Sequence, residues 1–114
     1  MAALQSNINS HVSEVKTFAI QYFTQLSKQI NADLLINKRT VKNSTHSTSL
    51  LRTYLQPNGQ VRTEENLYCY NPDTGKSVYS NAPPETMNID EYVEKSDIAH
   101  LKEIADMLVE KGYK

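Results

Sequence analysis

Few residues in this chain of 114 are of types that do chemistry, and they are scattered along it. Asp97, His100 and Glu103 stand three apart, so on a helix each neighbours the next and their side chains can approach one cation from a single flank. Structural zinc takes four ligands and catalytic zinc three, and a solvated helix face commonly carries such residues, so no metal is expected here and no other cofactor has a signature. Cys69 is the only cysteine, which excludes an internal disulfide. It would act as a nucleophile only if exposed beside a base such as His46, and the strand register derived below turns it inward, where a thiol is inert. Thr74-Gly75-Lys76-Ser77 echoes the end of a phosphate-binding loop, but the upstream glycine and the following helix are both missing. With no serine triad, no paired carboxylates and no dinucleotide fingerprint, the chain is expected not to be an enzyme.

Binding chemistry is better represented than catalysis. Arg52, Tyr54, Arg62, Tyr68, Tyr70 and Tyr79 all fall within one stretch of alternating residues, and they are the candidate partner-binding set. Tyr and Arg offer a large flat body with a polar tip, which is why they concentrate where surfaces recognise one another. The alternative is phosphate binding by Lys38, Arg39, Lys42 and His46 in the basic, hydroxyl-rich stretch 37–46, read as a connection with free backbone amides. Bases stacked on the tyrosines would then make a nucleic-acid or nucleotide site.

The elements that must position these residues centre on 46–80, which reads as three antiparallel strands. Gln56-Pro57-Asn58-Gly59 suits a type I turn with a G1 bulge, which sets Gln56 opposite Gln60, Leu55 opposite Val61, Thr53 opposite Thr63 and Leu51 opposite Glu65. Asn71 to Gly75 suits a four-residue loop that sets Tyr70 opposite Ser77 and Cys69 opposite Val78. Alternation then sorts the sheet into two faces. Leu51, Leu55, Val61, Leu67, Cys69 and Val78 form the core face, and the Tyr/Arg set lies on the other, either exposed or covered by a further helix.

Ahead of the sheet, apolar residues recur at Ile8, Val12, Val15, Ala19, Tyr22 and Leu26, with Phe18, Phe23 and Ile30 beside them. This predicts a long helix from Ile8 to about Ile30, capped by Ser6 or Ser10, and its wide aromatic stripe suits self-association into a homo-oligomer. Leu34 to Ile36 either finish that helix or begin a short edge strand. Ser80 to Thr86 is a proline-punctuated loop, Ile89 to Lys95 one or two helical turns, and the last helix is expected from Asp97 to Lys111 with Ser96 as its cap and Gly112 as its stop. Ile98, Leu101, Ile104, Ala105, Leu108 and Val109 are its buried stripe.

The expected architecture is therefore a single α+β domain over 1–114: long N-terminal helix, three-stranded antiparallel meander, C-terminal helix packed on the sheet. That order resembles the topology of the double-stranded RNA-binding domain and nothing more. Such modules present lysines to phosphates at the start of their last helix, whereas this chain reads Asn88-Ile89-Asp90-Glu91 and Ser96-Asp97, so membership is not expected. Asn, Gln, Ser and Thr make up 35 of the 114 residues, a lean compatible with an AT-rich genome such as that of a phage, virus or low-GC bacterium. The net charge of −1 hides a strong polarity: residues 34–63 carry five cations and no acid, and residues 64–114 carry eleven acids against five lysines. Such asymmetry favours an oriented protein partner over diffuse polyanion binding. The N-terminal segment has neither a basic start nor an apolar run and no stretch approaches a membrane span, so a soluble cytoplasmic protein is expected.

Overall fold

The computed structural model describes residues 2–113, with side chains from residue 11 onward. In chain order the elements are α1 (Ala2–Gln29), β1 (Leu34–Ser44), β2 (Ser47–Leu55), β3 (Gln60–Asn71), β4 (Lys76–Asn81), β5 (Glu85–Asn88), α2 (Ile89–Lys95) and α3 (Ile98–Glu110). The class is α+β with a long N-terminal helix, as the sequence indicates, but the sheet has five strands and two helices follow it.

Both hairpin turns set the expected register. Gly59 takes φ +83°, its N–H bonds to the Gln56 carbonyl at 3.1 Å, and the Asn58 Oδ1 accepts from the Gln60 amide. Leu55 then faces Val61, Thr53 faces Thr63 and Leu51 faces Glu65. At the second turn Gly75 takes φ +71° and donates to the Asn71 carbonyl, which puts Tyr70 opposite Ser77 and Cys69 opposite Val78.

The two extra strands correct the reading of 34–45 and 80–88. Leu34 to Ser44 is an edge strand paired with β2 throughout, and not a basic connection. Its Lys38, Arg39 and Lys42 fit that position, because charged side chains guard an exposed edge against further pairing. At the other side β3 is long enough to carry two strands end to end: β4 lies along Asn66–Asn71 and β5 along Gln60–Thr63. Pro83 and Pro84, which cannot donate to a ladder, fall in the gap between them.

All three helices lie on the face of Leu55 and Val61. α2 packs on β3 and β5, α3 on β1, and α1 against α2 and α3. The core is one cluster of Ala19, Phe23, Leu26, Ile36, Leu55, Val61, Ile89, Val93, Leu101, Ile104 and Leu108. Fully burying a Leu, Val, Ile or Phe side chain contributes about 1.5–3 kcal/mol, so stability concentrates at this end of the sheet. The expected core face is only half covered: Leu67 and Cys69 are half-buried, and Val78 is 62% exposed. The distal part of β3 with β4 therefore projects beyond the helices as a wing held by backbone pairing.

Helix ends also depart from expectation. α1 runs back to Ala2, since Leu4 continues the apolar spacing one turn before Ile8, so Ser6 and Ser10 lie inside the helix and cap nothing. Asp97 caps α3 by accepting from the His100 amide at 2.8 Å, whereas the Ser96 amide closes α2 on the Val93 carbonyl. Gly112 (φ +101°) stops α3 as anticipated, with Tyr113 N–H on the Leu108 carbonyl and Gly112 N–H on that of Val109, the pair of bonds of a Schellman motif.

Candidate functional site

The sheet face opposite the helices collects the expected partner-binding set in cross-strand rows. Tyr54 and Arg62 sit opposite each other, as do Arg52 and Glu64, then Tyr68 and Tyr79, with Tyr70 beyond them opposite Ser77. None of these side chains is buried, and among the described residues none of the core helices lies over them.

The face has an anchored end and an open one. Arg62 lies 4.8 Å over the Tyr54 ring and is ion-paired to Asp33 and, through Nε at 3.1 Å, to Glu64. Asp33 above all holds this guanidinium above its ordinary range. Arg62 is thus already satisfied within the chain. Arg52, by contrast, makes no ion pair among the described residues. Towards the wing, Tyr68 and Tyr79 approach to 5.0 Å between centroids, and the Tyr68 hydroxyl is 3.1 Å from Ser77 Oγ. Tyr68 is 36% exposed, Tyr70 39% and Tyr79 76%. Beside them a shallow recess of about 410 Å³ is floored by Leu50 and Thr48 and bounded by Arg52, Asn66 and Asn81.

Strand alternation divides the basic stretch. Lys38 pairs with Arg52 and Lys42 with Thr48, in the row of Tyr68 and Tyr79, so both lysines share the tyrosine face. Arg39, opposite Leu51, is on the helix-covered face. His46 is exposed at the β1–β2 turn, where its ring meets Tyr70 edge-on at 6.1 Å and its carbonyl accepts from the Tyr70 amide at 2.8 Å. The four residues of the phosphate alternative thus do not converge.

Groups considered for catalysis are otherwise engaged. Cys69 is half-buried, because no helix reaches over it, and its Sγ lies 3.6 Å from Ser47 Oγ. The Asp97 carboxylate caps α3 and His100 Nε2 meets the Tyr92 hydroxyl at 2.9 Å. Among the described residues no three His, Cys, Asp or Glu side chains gather in a way that could hold a metal. The pairing of Tyr92 with His100, eight residues on, went unforeseen: only the angle between α2 and α3 brings them together.

Two further hollows exist. One, of about 330 Å³, is an apolar groove between α1 and α3 lined by Val15, Phe18, Tyr22 and Ala105. The other lies under the α2–α3 junction and includes Arg39 and the Tyr92–His100 pair. No described helix is long and apolar enough to cross a membrane. Comparison of the chain with protein-family models, curated proteins and solved structures returned no match.

Proposed function

We propose that this chain is a small non-enzymatic protein-interaction module, an accessory, adaptor or inhibitor, that binds a protein partner through its Tyr/Arg sheet face and works in the cytoplasm. What carries this reading is the contrast between the two faces of one sheet: Leu55 and Val61 are fully buried, while the tyrosine face has no buried side chain at all. A face of this composition exposed to water is disposed for recognition, since Tyr and Arg lose little conformational freedom for the area they bury. Lys38, Lys42 and Arg52 stand on it, and its only carboxylates are Glu64 and the Asp33 that meets Arg62, so the matching partner surface is acidic.

Self-association through α1 is the second part of the proposal. Phe18 is 63% exposed and stacks on Tyr22 at 6.2 Å, at the edge of the apolar groove with α3. An aromatic pair left in water beside such a groove is the kind of surface a second copy covers.

The alternative, nucleic-acid or nucleotide binding, draws support from Lys42 lying in the row of Tyr68 and Tyr79, where a phosphate beside a stacked base would fall. Light scattering during gel filtration at low and high salt, with absorbance at 260 and 280 nm, separates these readings. A homo-oligomer of protein-like absorbance that dissociates in Phe18→Glu supports the first. A monomer in both proteins defeats self-association, and a 260 nm excess that disappears at high salt replaces protein binding by nucleic-acid binding.

A further inference from the structure

The structure assigns a second binding site, on the opposite face from the tyrosines and independent of them: we infer that the hollow under the α2–α3 junction takes a small phosphate-type oxyanion.

Its floor is the sheet row Asn37, Thr53, Thr63, together with Arg39 from the next row. Its roof is formed by Tyr92 and Lys95 of α2 and by the first turn of α3, and the enclosed volume is about 330 Å³, ample for a phosphate monoester of modest size. Two cations, Arg39 and Lys95, converge on it from different elements. Neither makes an ion pair with any described residue, since the chain's described ion pairs all belong to Arg62. Asp97, the one acid lining the hollow, has an oxygen committed to the His100 amide. The balance of charge facing the cavity is therefore positive.

Thr53 supplies the independent observation. It is 5% exposed, yet its hydroxyl has no hydrogen-bond partner among the described residues. No fully buried side-chain oxygen or nitrogen of the described chain lacks a partner, so the Thr53 hydroxyl must open onto the cavity it lines. Burying an unmet hydroxyl costs stability unless something meets it, and an oxyanion meets it as acceptor. Thr63, directly opposite, offers a second donor in the same row. A guanidinium, an ammonium and two hydroxyls around one point suit the several acceptor oxygens of phosphate, where a carboxylate would be served by the guanidinium fork alone. The Tyr92–His100 pair closes one wall, braced by Ser96 Oγ donating to the Tyr92 carbonyl at 2.8 Å.

The test is an amide NMR titration with inorganic phosphate and with phenyl phosphate, at constant ionic strength set by chloride, on the full chain and on Arg39→Gln, Thr53→Val and Lys38→Gln. Saturable shifts confined to 37–39, 53, 63 and 95–100 are expected in the parent and in Lys38→Gln, whose changed side chain points to the other face. Affinity should fall about tenfold or more in Arg39→Gln and several-fold in Thr53→Val, the loss of a charge-assisted and of a neutral hydrogen bond respectively. Arg39 is exposed on an edge strand, so its replacement leaves the fold in place and keeps the comparison valid even if Thr53→Val is destabilised. Linear, unsaturating shifts, or equal affinity in Arg39→Gln and the parent, would overturn the site.

Discussion

Tyr68 and Tyr79 face one another directly across the β3–β4 pair, their rings 5.0 Å apart and inclined at 52°. The pair lies on the wing, beyond the helices, so its contribution to folding is limited to about 0.5–1.5 kcal/mol of aromatic contact. Tyr68→Ala and Arg52→Ala are each expected to weaken an identified protein partner by about 1–4 kcal/mol while the thermal midpoint shifts by only a few degrees. Calorimetric titration and a melting curve on the same samples decide the matter. Collapse of the fold in either variant would show that the face is structural.

A steep gradient of stability should run along the sheet. Leu55→Ala, at a site with no exposure, is expected to cost about 2–5 kcal/mol by urea unfolding. Val78→Ala sits at a register position on that same face but out on the wing, and should fall within about 0.5 kcal/mol of the parent. Similar losses at both sites would mean that the wing is as tightly packed as the covered end.

Replacing the caps distinguishes two neighbouring residues that the sequence alone confuses. Asp97→Ala should destabilise by about 1 kcal/mol, because the His100 amide loses its acceptor, and Asp97→Asn should restore most of that. A larger loss in Ser96→Ala than in Asp97→Ala, read from urea midpoints, would reverse the assignment.

Burial raises the phenols of Tyr22 and Tyr92 above their ordinary value; at Tyr92, Ser96 and the positive charge of Arg39 act in the other direction. A phenol with a raised value binds its proton more tightly in the folded chain. Its stabilising share is therefore complete below the unfolded value of 10.0 and is lost as pH rises through the higher folded value. The urea midpoint should fall across that alkaline window, and less steeply in Tyr92→Phe and in Tyr22→Phe, which also loses the hydrogen bond to the Tyr113 carbonyl. Slopes unchanged by both substitutions would contradict the assignment.

The centre of the sheet was legible because its turns specify themselves. Gly59 and Gly75 sit at the left-handed positions that two common loop geometries require, and each loop fixes every pair that follows it. The outer strands were not legible for equally physical reasons. β1 hides its alternation behind edge charges and an irregularity at Ile36, and β5 is four residues long, isolated by two prolines. The tyrosine face followed from register alone. The cavity under α2 and α3 did not, since Thr53, Tyr92 and His100 come from segments that only tertiary packing unites. Once β1 is known to be a strand, the separation of Arg39 from Lys38 and Lys42 follows from alternation.

Ile36 and Asn43 are the two residues of β1 that have no partner of their own in β2, because the pairing steps from Leu35 to Asn37 and from Lys42 to Ser44. They act as slack in the length of the strand. Excision of Ile36 would forfeit a core side chain yet leave Lys38 opposite Arg52 and Arg39 opposite Leu51, and excision of Asn43 would leave the whole ladder in register. A residue removed anywhere from 37 to 42 instead forces a slip, but one that ends at the nearer of these two spare positions. The strand that holds the charges of both faces is thus buffered against insertion and deletion, and a frame-preserving change in its length need not exchange what the two surfaces present.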